Sequence, residues 1–154
     1  INTGACVVGN MGSDQRFDYS VLGDAVNLGS RLEGQSKSYG VITIIGEETA
    51  KSVTDTQLIE LDLIAVKGKE DPVTIYTPVT SSNDDEIKKH QEYLDAYRNR
   101  DWNEAKRIAG GNKLAFSGEL EQYYELMSER ITELDKSDIN DLDAWDGVFR
   151  ATTK

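Results

Sequence analysis

Residues 1–8 (INTGACVV) read as a strand that ends at Gly9-Asn10-Met11-Gly12, a turn signal. Residues 16–22 (RFDYSVL) read as a second, antiparallel strand, closed by Gly23-Asp24. Asp24 has the chemistry of an N-cap, so a helix is expected from there to about Tyr39-Gly40. The apolar run 41–45 (VITII) predicts a buried strand, and residues 47–53 a short helix. Residues 58–66 and 73–79 predict two strands joined by the loop Lys67-Gly68-Lys69-Glu70-Asp71. The expected order is β-β-α-β-α-β-β.

After Pro78 the period changes. Residues 81–85 (SSNDD) form a polar linker and a helix start, and residues 86–100 a helix. A second helix begins near Asn103 and is expected to stop at Gly110-Gly111. A third, over 118–135, places Leu120, Tyr123, Tyr124, Met127, Ile131 and Leu134 at helical spacing. Tyr93, Tyr97 and the run Asp101-Trp102-Asn103-Glu104-Ala105 resemble one tetratricopeptide helix pair, too few for a repeat array. The expected division is therefore a mixed α/β unit over 1–80 and an α-helical extension over 81–154, which either caps the sheet or docks a protein. The terminal run 143–149 (DAWDGVF) is expected to be tied down by Trp145 and Phe149.

The net charge is −11, with 11 acidic and 6 basic residues in 1–80 and 17 acidic and 11 basic in 81–154. A surface this negative, on both segments, excludes a nucleic-acid partner. The single cysteine, Cys6, permits no intrachain disulfide, which favours a reducing compartment, and it reads as a small buried strand residue. No apolar run approaches the roughly 20 residues a membrane span needs, so this segment is not expected to insert. The chain opens on Ile1 directly in strand-like sequence, so further sequence is expected upstream. His90, the only histidine, lies among polar residues and reads as a surface side chain.

On the helix after Asp24, Ala25, Leu28 and Leu32 form an apolar stripe. Asn27 and Arg31 stand one turn apart on another face. An amide and a guanidinium at that spacing offer directed donors, and the guanidinium fork suits phosphate oxygens. The pattern alone favours an ordinary solvated face with Arg31 neutralising Glu33 or Asp24.

A family resemblance shifts that balance. The run G-D-x-V-N-x-x-x-R-L from Gly23, preceded by R-x-D-Y-S and followed by E-G, resembles the signature of class III nucleotidyl cyclase catalytic domains. The upstream N-T-G-x-x-V-V-G-N-M-G and the later Val66-Lys67-Gly68-Lys69 and Val73-Thr74-Ile75-Tyr76 resemble flanking hairpins of the same family in the same order. The likeness covers about residues 1–79, the C-terminal half of such a domain; the tail is similar to extensions of some bacterial membrane-anchored cyclases. The implied fold is α+β, part of an antiparallel-sheet, ferredoxin-like palm followed by helices. The implied activity is adenylate cyclase, making 3′,5′-cyclic AMP and pyrophosphate from ATP. Guanylate cyclase and a degenerate nucleotide-sensing or dimerisation module are the alternatives.

The resemblance also assigns roles. It implies that Arg31 is the transition-state arginine at the α-phosphate and that Asn27 hydrogen-bonds the ribose. It implies that Lys67 reaches the triphosphate, although a solubilising hairpin charge explains that lysine equally well. Ser20 occupies the purine-selecting position and Val21 would line the base pocket. A serine hydroxyl donates and accepts, so alone it does not force adenine over guanine. Two Mg²⁺ or Mn²⁺ ions are implied for the complete domain, but no residue of this chain matches their aspartate ligands: Asp14, Asp18 and Asp24 fall in the wrong places. This segment is therefore expected to be inactive alone. The implied assembly is a homodimer with shared active sites at the interface. The implied location is a cytoplasmic catalytic domain, with membrane anchoring of the full-length protein left open.

Overall fold

A computed structural model of the chain describes residues 1–13, 16–66, 71–136 and 145–151. Two strands open it, β1 (Val7–Ser13) and β2 (Arg16–Leu22), paired antiparallel from Val7↔Leu22 to Ser13↔Arg16. The expected turn at Gly9–Gly12 is a misreading. Those residues lie inside β1, opposite Ser20 to Phe17, because the register carries the ladder past both glycines. Residues 1–6 are not strand either. They run beside the sheet instead, where the Ile1 carbonyl accepts from the Gly46 amide at 2.9 Å.

Helix α1 spans Asp24–Tyr39. Its N-cap is Gly23 rather than Asp24, whose carboxylate makes no capping bond and sits in the first turn, complementing the helix dipole. A Cβ at Gly23 would lie 2.9 Å from the Ala5 carbonyl oxygen, so the chain crosses too closely for a larger residue. The helix ends as expected, at Gly40 in the left-handed region, φ 63°. Gly40 and Val41 amides donate to the Lys37 and Ser36 carbonyls, a Schellman closure.

Of the expected strand over 41–45 only β3 (Ile45–Gly46) pairs, followed by a single helical turn, α2 (Glu47–Ala50). Strands β4 (Gln57–Ala65) and β5 (Val73–Val79) form the antiparallel centre of a second sheet. The tail supplies α3 (Asp84–Arg98), α4 (Trp102–Gly111), a 3₁₀ turn (Ala115–Gly118), α5 (Glu121–Lys136) and a short β6 (Phe149–Arg150). α3 starts on a capping box between Asn83 and Glu86, and α4 on Asp101. α4 ends at Gly110-Gly111, as expected, with the two glycines as its last residues. The sheet order is β3-β5-β4-β6, antiparallel except that β6 lies parallel to β4. The fold is α+β, as expected.

One apolar core joins both segments, with Leu32 and Tyr39 of α1, Leu61, Ile64 and Ile75 of the sheet, and Tyr93, Tyr97, Phe116, Tyr123, Met127 and Ile131 of the tail. β4 bulges between Glu60 and Asp62, freeing carbonyls from the ladder. The tail satisfies them: Tyr123 donates to the Leu61 carbonyl at 2.7 Å and His90 bonds the Glu60 carbonyl at 2.6 Å. The surface reading of His90 is thus corrected, since that ring is 3% exposed among Tyr93, Phe116, Tyr123 and Tyr124. Trp145 donates to the Arg98 carbonyl at 3.0 Å and packs edge-on against Tyr97 and Trp102, tying down the terminal segment as expected. Among the described residues no helix is long and apolar enough to cross a membrane.

Candidate functional site

Helix α1 carries the candidate residues. Its buried stripe is Leu32, Gln35 and Tyr39, with Leu28 packed against the core. Ala25, expected in that stripe, is half-buried; its carbonyl accepts from Asn2 Nδ2 at 2.9 Å, fastening the first residues to the helix. This burial turns Asn27 outward and leaves Arg31 half-buried beside the stripe. Neither side chain forms a hydrogen bond or ion pair with any described residue, Glu33 and Asp24 included. Local charge neutralisation, the alternative to a ligand role, is therefore not what occupies Arg31.

Ser20 and Val21 lie on β2, opposite Gly9 and Val8. Ser20 is half-buried and Val21 is exposed. Their strand feeds α1 through Gly23, so the four residues share one continuous stretch of chain. Lys67 lies outside the described residues. The hairpin presents Val7, Val8, Tyr19, Val21 and Leu22 to solvent. A two-stranded hairpin with that much exposed apolar surface is not self-sufficient. A cleft of about 1160 Å³ between Gly40–Thr43, β5 and the start of α5 contains none of the candidate residues. A smaller one of about 290 Å³ touches α1 only at Ala25 and Leu28. Asn27 and Arg31 line neither of these two clefts.

Among the described residues no group of three or more His, Cys, Asp or Glu could hold a metal ion. Asp18 and Asp24 are exposed on separate elements, and Asp14 lies outside the described residues. The described residues do not fit the pair of divalent ions that the sequence resemblance implies. Cys6, expected to be buried in a strand, is exposed and precedes β1.

Sequence reasoning missed a buried polar joint at the other end of α1. Tyr39 donates to Asp62 Oδ2 at 2.6 Å, Arg130 Nη1 to the same oxygen at 2.9 Å, and the Leu63 amide to Oδ1 at 2.8 Å. Arg130 also reaches the Tyr39 oxygen at 3.2 Å, and its guanidinium stacks over the rings of Tyr39 and Phe149, at 4.6 and 3.7 Å from their centroids. Burial pushes the Asp62 carboxyl up to about 6, against the pull of Arg130 and Tyr39, so it stays ionised at neutral pH. Two signals were present: a lone aspartate inside the apolar run 61–64, and Arg130 three residues after Met127 on the core face of α5.

An α+β unit with an Asn/Arg helix leaving a β-hairpin fits one family by its sequence. Residues 1–78 match the family described as "Adenylate and Guanylate cyclase catalytic domain", and the chain belongs to it. It is 39% identical over 80 residues to an adenylate cyclase of Anabaena cylindrica, covering 49% of this chain and 16% of that protein. It is 35% identical over 103 residues to the terminal-differentiation-specific adenylate cyclase of Dictyostelium discoideum, covering 64% of this chain and 5% of that protein. The crystal structure of the adenylyl cyclase CyaB from P. aeruginosa aligns at 40% identity with a TM-score of 0.42, over 51% of this chain and 40% of that one. The chain thus spans less than a fifth of the curated relatives it matches.

Proposed function

We propose that this chain supplies the transition-state and ribose-positioning groups of an adenylate cyclase. In the proposed reaction the ribose 3′-oxygen attacks the α-phosphorus of ATP. The O3′–P bond forms, the bond to the α,β-bridging oxygen breaks, pyrophosphate leaves, and the hydroxyl proton is lost to water. Negative charge grows on the α-phosphoryl and bridging oxygens. The Arg31 guanidinium meets that charge with a preformed fork of donors, and Asn27, one turn earlier, holds the ribose at its angle of attack. Ser20 and Val21 contact the purine, and Lys67 the terminal phosphates.

The single observation that carries this reading is the state of Arg31. In a chain of net charge −11 it has no described acidic partner and sits one turn from an exposed amide. An unpaired guanidinium beside an outward amide is what a phosphate ester of a sugar requires.

The exposed apolar hairpin supports a shared site: two copies in a homodimer, each offering its Asn/Arg helix to the other. The Mg²⁺ or Mn²⁺ ions implied by the resemblance would be held by residues outside this chain. ATP as substrate places the domain on the cytoplasmic side. A second reading is a nucleotide-sensing or dimerisation module without turnover. The test is cyclic AMP formation by the complete protein with Mn²⁺ and ATP, alongside an Arg31→Ala version and with GTP in competition. A drop of about 10²–10³-fold on removing the guanidinium is expected. Equal rates would remove Arg31 from the mechanism, and preferential use of GTP would make the protein a guanylate cyclase.

A further inference from the structure

We propose that the tail is part of the catalytic apparatus: through Arg130 and Tyr39 it sets the angle of the helix that carries Asn27 and Arg31. This rests on the proposed roles of those two residues. Tyr39 is the last residue of α1, eight positions after Arg31, so about 12 Å of helix separates them. A tilt of only about 5° about the Tyr39 end would move the Arg31 end by about 1 Å, enough to cost on the order of 10²-fold in a positioned reaction.

Four elements meet at that pivot. α1 gives Tyr39, β4 gives Asp62, α5 gives Arg130 and β6 gives Phe149. Tyr39 is fully buried, its hydroxyl shared between Asp62 and Arg130 and its ring lying under the guanidinium. The last described residues close the joint from the far side: the Ala151 amide donates to the Ala65 carbonyl at 3.1 Å and keeps Phe149 over Arg130. Gly40 lets α5 approach the helix end, since a Cβ there would stand 2.7 Å from Gln122 Cγ and 3.0 Å from Leu126 Cδ1. The opposite end of α1 has no charged joint of this kind: Asn2 Nδ2 donates to the Ala25 carbonyl, Gly4 approaches Ala25 closely, and Leu32 anchors the middle of the helix in the core. The tail-side joint is the polar clamp on the helix, and Arg130 and Tyr39 act through α1, not on the nucleotide.

The test uses the complete protein with Tyr39→Phe, which removes one oxygen and leaves the Asp62–Arg130 pair, and with Arg130→Lys, which keeps the charge but not the planar stack. Tyr39→Phe is expected to lower kcat about 10-fold with KM for ATP changed less than about twofold, and Arg130→Lys to do the same more strongly. Combined with Arg31→Ala, Tyr39→Phe should add less than its full loss, because part of its effect passes through Arg31 and the rest through Asn27. Amide exchange over residues 24–35 should rise about 10-fold in Tyr39→Phe while β4 stays protected. A Tyr39→Phe protein with native kcat and native exchange in α1 overturns the proposal, as does a loss that adds in full to that of Arg31→Ala. If Arg31→Ala itself keeps native kcat, the cyclase role of Arg31 fails, and unchanged exchange in α1 then still decides against the lever.

Discussion

His90 Nε2 donates to the Glu60 carbonyl oxygen at 2.6 Å, so Nδ1 is left to accept from the Tyr124 hydroxyl at 2.8 Å. The ring is neutral, and burial holds its pKa down to about 4. Below about pH 6.5 the unfolded chain takes up a proton that the native ring refuses until about pH 4. His90 therefore contributes stability that is complete above pH 6.5 and is lost as pH falls towards 4, about 3 kcal/mol in all. Asp62 runs the other way: its raised pKa favours the native state as pH falls from about 6 to 3.8. His90→Gln, which keeps an N–H for the Glu60 carbonyl, removes the histidine's contribution and leaves that of Asp62. In urea unfolding, the stability gap between native chain and variant should shrink by about 3 kcal/mol from pH 7 to pH 4. A gap constant with pH would mean that the native ring takes up its proton as readily as the unfolded one.

Asn27 is exposed and makes no hydrogen bond to a described residue, so its removal should not disturb the fold. Asn27→Ala is expected to leave the melting temperature of the chain within about 1 °C, a surface-substitution effect. Cyclic AMP formation by the complete protein should fall by roughly 10–100-fold, the cost of a lost positioning contact. A drop in melting temperature without a drop in kcat would return Asn27 to an ordinary helix-face role.

Ser20 tests substrate choice apart from rate. Its hydroxyl both donates and accepts, so whatever preference it confers comes from orientation by neighbours. Ser20→Ala should bring the ATP-to-GTP ratio of kcat/KM closer to one by about 10-fold, the scale of one hydrogen bond in a selective pocket. An unchanged ratio would place purine selection elsewhere.

The α1 helix, its end at Gly40 and its Asn/Arg pair were legible because each depends on local spacing. The strand β1 was not: Gly9, Asn10 and Gly12 look like a turn, and only pairing with β2 shows that they extend past it. His90 was misread because Lys88, Lys89 and Gln91 surround it in sequence. Its stripe of Ile87, His90, Leu94 and Tyr97 was nonetheless helical, and the buried members of that face prove it. The Tyr39–Asp62–Arg130 joint joins residues 23 and 68 positions apart, and no local pattern announces such a pairing.

Gly40 combines a left-handed backbone with a close approach to α5. Gly40→Ala meets both penalties at once: φ 63° strains the alanine, and its Cβ would lie 3.1 Å from the Gln122 carbonyl carbon, which cannot rotate away. A loss of about 1–3 kcal/mol is expected in urea unfolding. Asn at the same position should satisfy the backbone but worsen the clash, so it should be no better than alanine. A stable Gly40→Asn chain would show that α5 is free to move off the helix end.

Removing residues 81–154 should destroy the first segment rather than release it. Leu32, Tyr39, Leu61, Ile64 and Ile75 are all at or near zero exposure, and they pack against tail side chains in one core. Cutting after Thr80 would expose that face as a single apolar patch, well beyond the few hundred Å² a soluble domain tolerates. It would also strand Asp62, fully buried, without Arg130, and leaving one partner of a buried ion pair costs about 3–5 kcal/mol. The Glu60 and Leu61 carbonyls at the bulge would lose His90 and Tyr123. The expected result is that a chain of residues 1–80 is insoluble or lacks dispersed amide resonances, while the 154-residue chain folds. A soluble 1–80 chain with native-like dispersion would instead make the tail a separable unit, and would point it towards docking another protein.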